Sequence, residues 1–201
     1  STVLLVIIGI VPTFFVEKGI VSSYEDRAVS LRMFNVKNQC DILSNQLVQE
    51  QYLQDTSSVA INSELDMLTN VYSGRILIVN QDFQVIKDTY DLDRGKYVIT
   101  QEVLQCFSDG KETSHYDARN RYIEMLIPIS TTLEENSSVA GVLMISVSTE
   151  EIAASVDVLE QKGMLLLLII GVLVLALGYI LSGTLMKPFA KVTRAIEDIT
   201  D

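Results

Sequence analysis

Two long uncharged runs bound what this chain can be. Residues 163–186 carry no charged side chain over 24 positions, and residues 1–16 form a second such run. At about 1.5 Å per residue the later run reaches roughly 36 Å as a helix, enough to cross a hydrocarbon layer of about 30 Å with some tilt. The earlier run reaches only about 24 Å, so further apolar residues are expected upstream of it. Residues 17–162, between them, hold no apolar stretch long enough to span. A chain with this layout is expected to place its middle segment in one compartment and both ends in the other.

Lys187, Lys191 and Arg194 follow the second run at once and are the only basic cluster near a membrane end. Excess lysine and arginine marks the cytoplasmic side, which assigns residues 17–162 to the outside and both termini to the cytoplasm. The outer segment holds 12 basic and 23 acidic residues, so the net charge of −11 resides there. Such a surface argues against nucleic acid and anionic lipid headgroups as partners of that segment, because both call for basic patches, and is compatible with cationic ligands or metal ions. No small-x-small cleavage pattern follows Val16, and a retained anchor fits better than a signal peptide. With only Cys40 and Cys106, a disulfide framework is not what holds the segment together. Both lie among apolar neighbours, where buried free thiols are common.

Helix formers dominate from Gly19 to about Leu53. There Val29, Met33, Val36, Cys40, Leu43 and Leu47 recur at 4-3-4-3-4, one face of a helix that leaves the first span. That stripe suits either the domain's own sheet or a partner helix in a dimer. A second helix carries Ile61, Leu65 and Leu68, with Ser73-Gly74 as its expected stop. Residues 75–80 and 83–89 then read as a hairpin around Gln81-Asp82. Thr100 is a cap for a helix through Phe107, closed by Gly110. Residues 112–117, 121–129 and 139–148 read as strands, the middle one alternating Ile123, Met125, Ile127 and Ile129 with more polar neighbours. Thr149-Glu150-Glu151 caps a last helix that feeds the second span. The sum is an α+β domain with a five-stranded, mostly antiparallel sheet and a long N-terminal helix, flanked by two transmembrane helices.

The segment Arg75-Ile-Leu-Ile-Val-Asn-Gln-Asp-Phe-Gln-Val-Ile-Lys-Asp-Thr89 and the strand Gly141-Val-Leu-Met-Ile-Ser146, in this order between two spans, resemble extracytoplasmic PAS-like (Cache or PDC) sensor domains of bacterial receptors. Met186-Lys-Pro-Phe-Ala-Lys-Val-Thr-Arg-Ala-Ile-Glu-Asp-Ile199 resembles the opening helix of a HAMP linker, restarting at Pro188. Its seam is Phe189, Val192, Ile196 and Ile199, with the module's second helix lying beyond residue 201. The resemblance implies a homodimeric sensor histidine kinase of a two-component system in a bacterial cell membrane. It would relay an extracellular signal through the second span to HAMP. Its kinase domain, with ATP and Mg, would lie outside this chain. The same architecture serves chemotaxis receptors and diguanylate cyclases, and the outer segment could instead bind a protein or peptide.

No catalytic motif is present, and no cofactor is expected within this segment. His115 is the only histidine, and neither cysteine has a CxxC or Cys-His partner nearby. Two clusters are candidates for a ligand site. The loop with Tyr90, Asp91, Asp93, Arg94 and Tyr97 is one. The strand pair with His115, Tyr116, Arg121, Tyr122 and Glu124 is the other. Aromatic walls with a few polar anchors suit small ligands. Arg94 and Arg121 could grip a carboxylate, or Asp88, Asp91 and Asp93 could collect a divalent cation. The ligand implied is an extracellular small molecule, ion or peptide.

Overall fold

The computed structural model describes residues 2–131 and 138–197, with side chains at residues 7–131 and 138–180. The elements are α1 (Thr2–Gln49), α2 (Val59–Tyr72), β1 (Gly74–Asn80), β2 (Val85–Asp88), α3 (Gln101–Asp109), β3 (Thr113–Asp117), β4 (Tyr122–Ser130), β5 (Val139–Ser148) and α4 (Glu150–Glu197). They divide into two compact units, Ser1–Glu25 with Ala154–Asp201, and Asp26–Ala153.

In the first unit two helices are long and apolar enough to cross a membrane. They run antiparallel and close, as small residues allow in lipid. A Cβ on Gly9 would stand 3.2 Å from Val174 Cγ2, and one on Gly171 would stand 3.6 Å from Ile10 Cδ1. Gly163 leaves the space that the Glu17 side chain fills. Lys18 Nζ donates to Glu160 Oε1 at 2.8 Å just beyond.

The second unit is the expected α+β domain: five antiparallel strands in the order β2-β1-β5-β4-β3. Sequence neighbours alone would not place β1 beside β5. The crossover through α3 separates β2 from β3 and leaves the last strand to fill the middle. One sheet face, with Ile76, Ile78, Ile123, Ile127, Leu143 and Ile145, is buried, with α2 packed on β1 and β5 and Ser44 of α1 donating to Pro128 O of β4 at 3.4 Å. Val36, Cys40, Leu43 and Leu47 of the α1 stripe are buried in the same core, so the stripe packs on its own domain and is not the dimer seam considered above. The other face is covered only in part, where Val103 and Cys106 of α3 meet Leu126 and Val142.

Helix ends account for most departures from expectation. α1 stops at Gln49, four residues early, because Gln51 takes the left-handed conformation (φ 52°) and Tyr52 N–H reaches back to Leu47 O at 2.9 Å. At the end of α2, Ser73 rather than Gly74 is left-handed, with φ 48°. Gly74 is instead the first residue of β1, where a Cβ would lie 2.6 Å from Ser146 O. Thr100 and Gly110 cap α3 as expected, the threonine hydroxyl accepting from Val103 N–H and the glycine at φ 62°. α4 does not restart at Pro188 but continues through it to Glu197, which costs one backbone hydrogen bond. Of the HAMP-like seam, Phe189, Val192 and Ile196 fall in this helix, and Ile199 lies outside the described residues.

Candidate functional site

The half of the sheet face that α3 leaves open is polar. Cross-strand register aligns Arg75, Ser146, Glu124 and His115 in one row across β1, β5, β4 and β3. The row on its open side brings Ser148, Tyr122 and Asp117 together. The row toward α3 is Leu77, Met144, Leu126 and Thr113, where the apolar core begins. Period-two alternation therefore builds a graded surface, polar at one end and apolar at the other.

Two depressions mark this face. The larger, about 430 Å³, has Glu102 and Thr100 at the start of α3, His115 and Thr113 on β3, Glu124 on β4, and Leu126 and Met144 as its floor. The other, about 270 Å³, lies around Arg75, Tyr90, Tyr122, Ser146 and Ser148, with Arg121 and Glu150 at its edge. Both carry the mixed apolar and polar lining of small-ligand sites.

Arg75 organises the wall of the second depression. Its Nε donates to Asp88 Oδ1 at 2.9 Å and its Nη2 to Asp88 Oδ2 at 2.6 Å and to Asp93 Oδ2 at 2.7 Å. The guanidinium also stands 5.8 Å from the centre of the Tyr90 ring. Asp88 further accepts the backbone N–H groups of Tyr90, Leu92 and Asp93, which folds the 89–97 loop around it. Burial opposes ionisation of Asp88, but Arg75 and the three N–H donors outweigh it and hold the carboxyl far below its usual range. Lys96 and Arg75 likewise lower the pKa of Asp93. Two of the three aspartates, Asp88 and Asp93, are thus arranged around a guanidinium, and Asp91 contributes only a backbone N–H to Asp88 O at 3.1 Å. Among the described residues no group of three or more His, Cys, Asp and Glu is placed to hold a metal ion.

Arg121 links the face to α4. Its carbonyl accepts Thr149 N–H at 2.8 Å, and its Nη1 donates to Glu150 Oε2 at 3.0 Å. The residue is left-handed, with φ 57°, a conformation that carries strain in a non-glycine.

The candidate residues read from sequence scatter around this site. His115 lies in the first depression, and Tyr90, Arg121 and Tyr122 in the second. Tyr116 pairs with Ile123 and so points to the face opposite His115. Arg94 lines a separate hollow beside Gln54 and Asp55, so it and Arg121 do not converge on one carboxylate. Tyr97 is 67% exposed and bridges to Gln84, and Asp91 is an exposed left-handed turn residue. Arg75, Ser146 and Ser148 were not anticipated. Only the pairing of β5 with β1 and β4 reveals them.

Comparison with family models gives no match, and neither does sequence comparison with curated proteins. Solved structures do show likenesses. An extracellular ligand binding receptor from Desulfohalobium retbaense DSM5692 aligns at 10% identity and TM-score 0.48, over 65% of this chain and 24% of that one. The Escherichia coli DcuS sensor domain aligns at 14% identity and TM-score 0.44, over 61% of this chain and 96% of that one. The chain spans about a quarter of the length of the first of these.

Proposed function

We propose that residues 26–153 are a PAS-like sensor domain of a bacterial membrane receptor, with α1 and α4 supplying its spans and the sensor face outside the cell. The observation that supports this best is the open half of the sheet. Arg75, Ser146, Glu124 and His115 cross it in one row, flanked by two depressions of ligand size. An occupant of the second depression would touch Arg121 and Glu150, and Glu150 opens α4. A binder with unequal affinity for two arrangements of that contact would bias α4, which continues into the second span. The parent protein is read as a homodimeric sensor histidine kinase, its kinase domain using ATP and Mg beyond this chain.

A protein or peptide partner is the second reading. Leu92, Tyr97 and Ile99 favour it, being exposed large apolar residues close together in sequence.

Thermal unfolding of the whole chain in lipid nanodiscs, with metabolites and divalent cations added one at a time, tests the first reading. A specific small molecule raises the transition, by about 2.7 kcal/mol at a hundredfold excess over Kd. The gain is lost in Glu124→Gln or Tyr122→Ala. A binder whose effect is the same in both variants sinks the assignment of this face.

A further inference from the structure

The first depression carries fixed charge of one sign only. Glu102, from the first turn of α3, and Glu124, from β4, line it, and among the described residues no lysine or arginine does. The arginines of the second depression are committed elsewhere, Arg75 to Asp88 and Asp93, and Arg121 to Glu150. Neither Glu102 nor Glu124 belongs to an ion pair among the described residues. Glu124 is half-buried on a strand flanked by β3 and β5, with His115 and Ser146 as its cross-strand neighbours. A carboxylate partly withdrawn from water without a counter-ion costs free energy that a bound cation would recover. The floor beneath it is apolar, Leu126 and Met144, and continues into the cluster of Val103, Cys106 and Val142.

From this we infer that the first depression takes a small organic cation, an amine whose charged head meets Glu124 and Glu102 and whose methylene chain lies on Leu126 and Met144. The inference rests on the reading of this face as the sensor face, and it gives the ligand a charge and a shape. An ammonium head carries three donors and no acceptor, and the two carboxylates with the acceptor nitrogen of a neutral His115 match that demand. The Thr100 hydroxyl is not needed for it, since it already accepts Val103 N–H. A bare metal ion fits less well. Among the described residues no three His, Cys, Asp or Glu are brought together, and Leu126 and Met144 offer a hard cation no oxygen. A cavity of about 430 Å³ also suits a molecule of several heavy atoms better than an ion. Overall acidity is not the selecting force. At about 0.15 M salt, charges farther than about 8 Å from the ligand are largely screened, which leaves the carboxylates of the cavity itself.

Titration calorimetry of the whole chain in phosphatidylcholine nanodiscs, at about 0.15 M salt and with empty discs as background, tests this. Putrescine, butylamine, butanol and butyrate share a four-carbon chain and differ in charge. The two amines should bind at millimolar concentration or below, and butanol and butyrate should not. Glu124→Gln should weaken both amines roughly tenfold or more, and Glu124→Asp, which keeps the charge, by less. Asp82→Asn removes the same charge from the exposed β1–β2 turn and should leave both affinities unchanged. Circular dichroism confirms that each variant is folded. Amine binding that survives Glu124→Gln and Glu102→Gln unchanged overturns the inference. Butanol or butyrate bound instead, and lost in Tyr122→Ala, overturns the cation and leaves the sensor face standing. Binding of none of the four overturns the cation too, and the sensor face falls with it only if the wider series of metabolites also fails.

Discussion

Arg75 and Asp88 share a two-point contact across the β1–β2 hairpin, and the aspartate side chain is fully buried while the arginine is 25% exposed. Removing the arginine leaves a buried charge without its cation, which typically costs about 3–5 kcal/mol. Three backbone N–H groups still serve Asp88, so Arg75→Ala should fall near the lower end of that range. Asp88→Asn retains shape but loses the charge-assisted bonds, at about 1.5–3 kcal/mol. Urea unfolding of the whole chain, followed by circular dichroism in nanodiscs, measures both. Equal and negligible effects would show that the pair is ornamental.

The same contact predicts acid lability. The folded-state pKa of Asp88 is depressed below the unfolded value of about 3.9, so the unfolded chain binds the proton more readily as pH falls. The stability it contributes is therefore fully present above about pH 4 and declines as pH drops through and below that value. Asp93 shifts in the same direction, drawn down by Lys96 and Arg75, but its carboxylate sits at the solvent-facing surface and adds little. In Asp88→Asn the fall in urea midpoint between pH 5 and pH 3 should be shallower than in the unsubstituted chain.

Ser73 and Gly74 should respond oppositely to substitution although they are adjacent. Ser73 occupies the left-handed cap, where glycine pays no steric penalty, so Ser73→Gly is expected to stabilise by about 0.5–1 kcal/mol. Gly74→Ala drives a Cβ to within 2.6 Å of Ser146 O in the β1–β5 ladder and should cost about 1–3 kcal/mol. Gly141→Ala meets Val79 O at 2.8 Å and belongs with it. Gly163→Ala should cost less, because the obstacle there is the flexible Glu17 side chain rather than backbone. Thermal midpoints of the four variants give the order directly.

Cys40 and Cys106 are free and buried, and burial raises their pKa values to about 12 and about 11. At neutral pH neither should react with a maleimide in the folded chain, and both should react in urea. Modification of either thiol on the folded time scale would show that the α1 or α3 packing opens locally.

These cases show where the sequence was legible. Alternation at Ile123, Met125, Ile127 and Ile129 located β4, and the 4-3 spacing located the buried side of α1, because both patterns are local. Local pattern could not assign α1's partner, since a stripe of that spacing suits a sheet as well as a helix. The left-handed residues Gln51, Ser73, Phe83, Asp91 and Arg121 bear no glycine to announce them. The site escaped most, because Arg75 reaches His115 only through β5 and β4, a register created by pairing β1 with a strand more than 60 residues later.

Arg121 offers the sharpest separation of stability from signalling. Its left-handed backbone disfavours any side chain, β-branched ones most, while its ion pair with Glu150 is exposed at both ends, 44% and 66%, and stabilises by about 0–1 kcal/mol. Relief of strain and loss of the pair should nearly cancel in Arg121→Gly, leaving stability within about 0.5–1 kcal/mol of the unsubstituted chain. Arg121→Val keeps the strain and loses the pair, and should be clearly less stable. If the contact from Arg121 to Glu150 carries the signal, Arg121→Gly in the intact receptor stays folded, yet no longer changes output even at ligand concentrations that saturate the weakened site. The output of the intact receptor with and without ligand, beside a thermal shift on the same sample, measures the two effects separately. A normal response in Arg121→Gly would mean that α4 is moved through another contact.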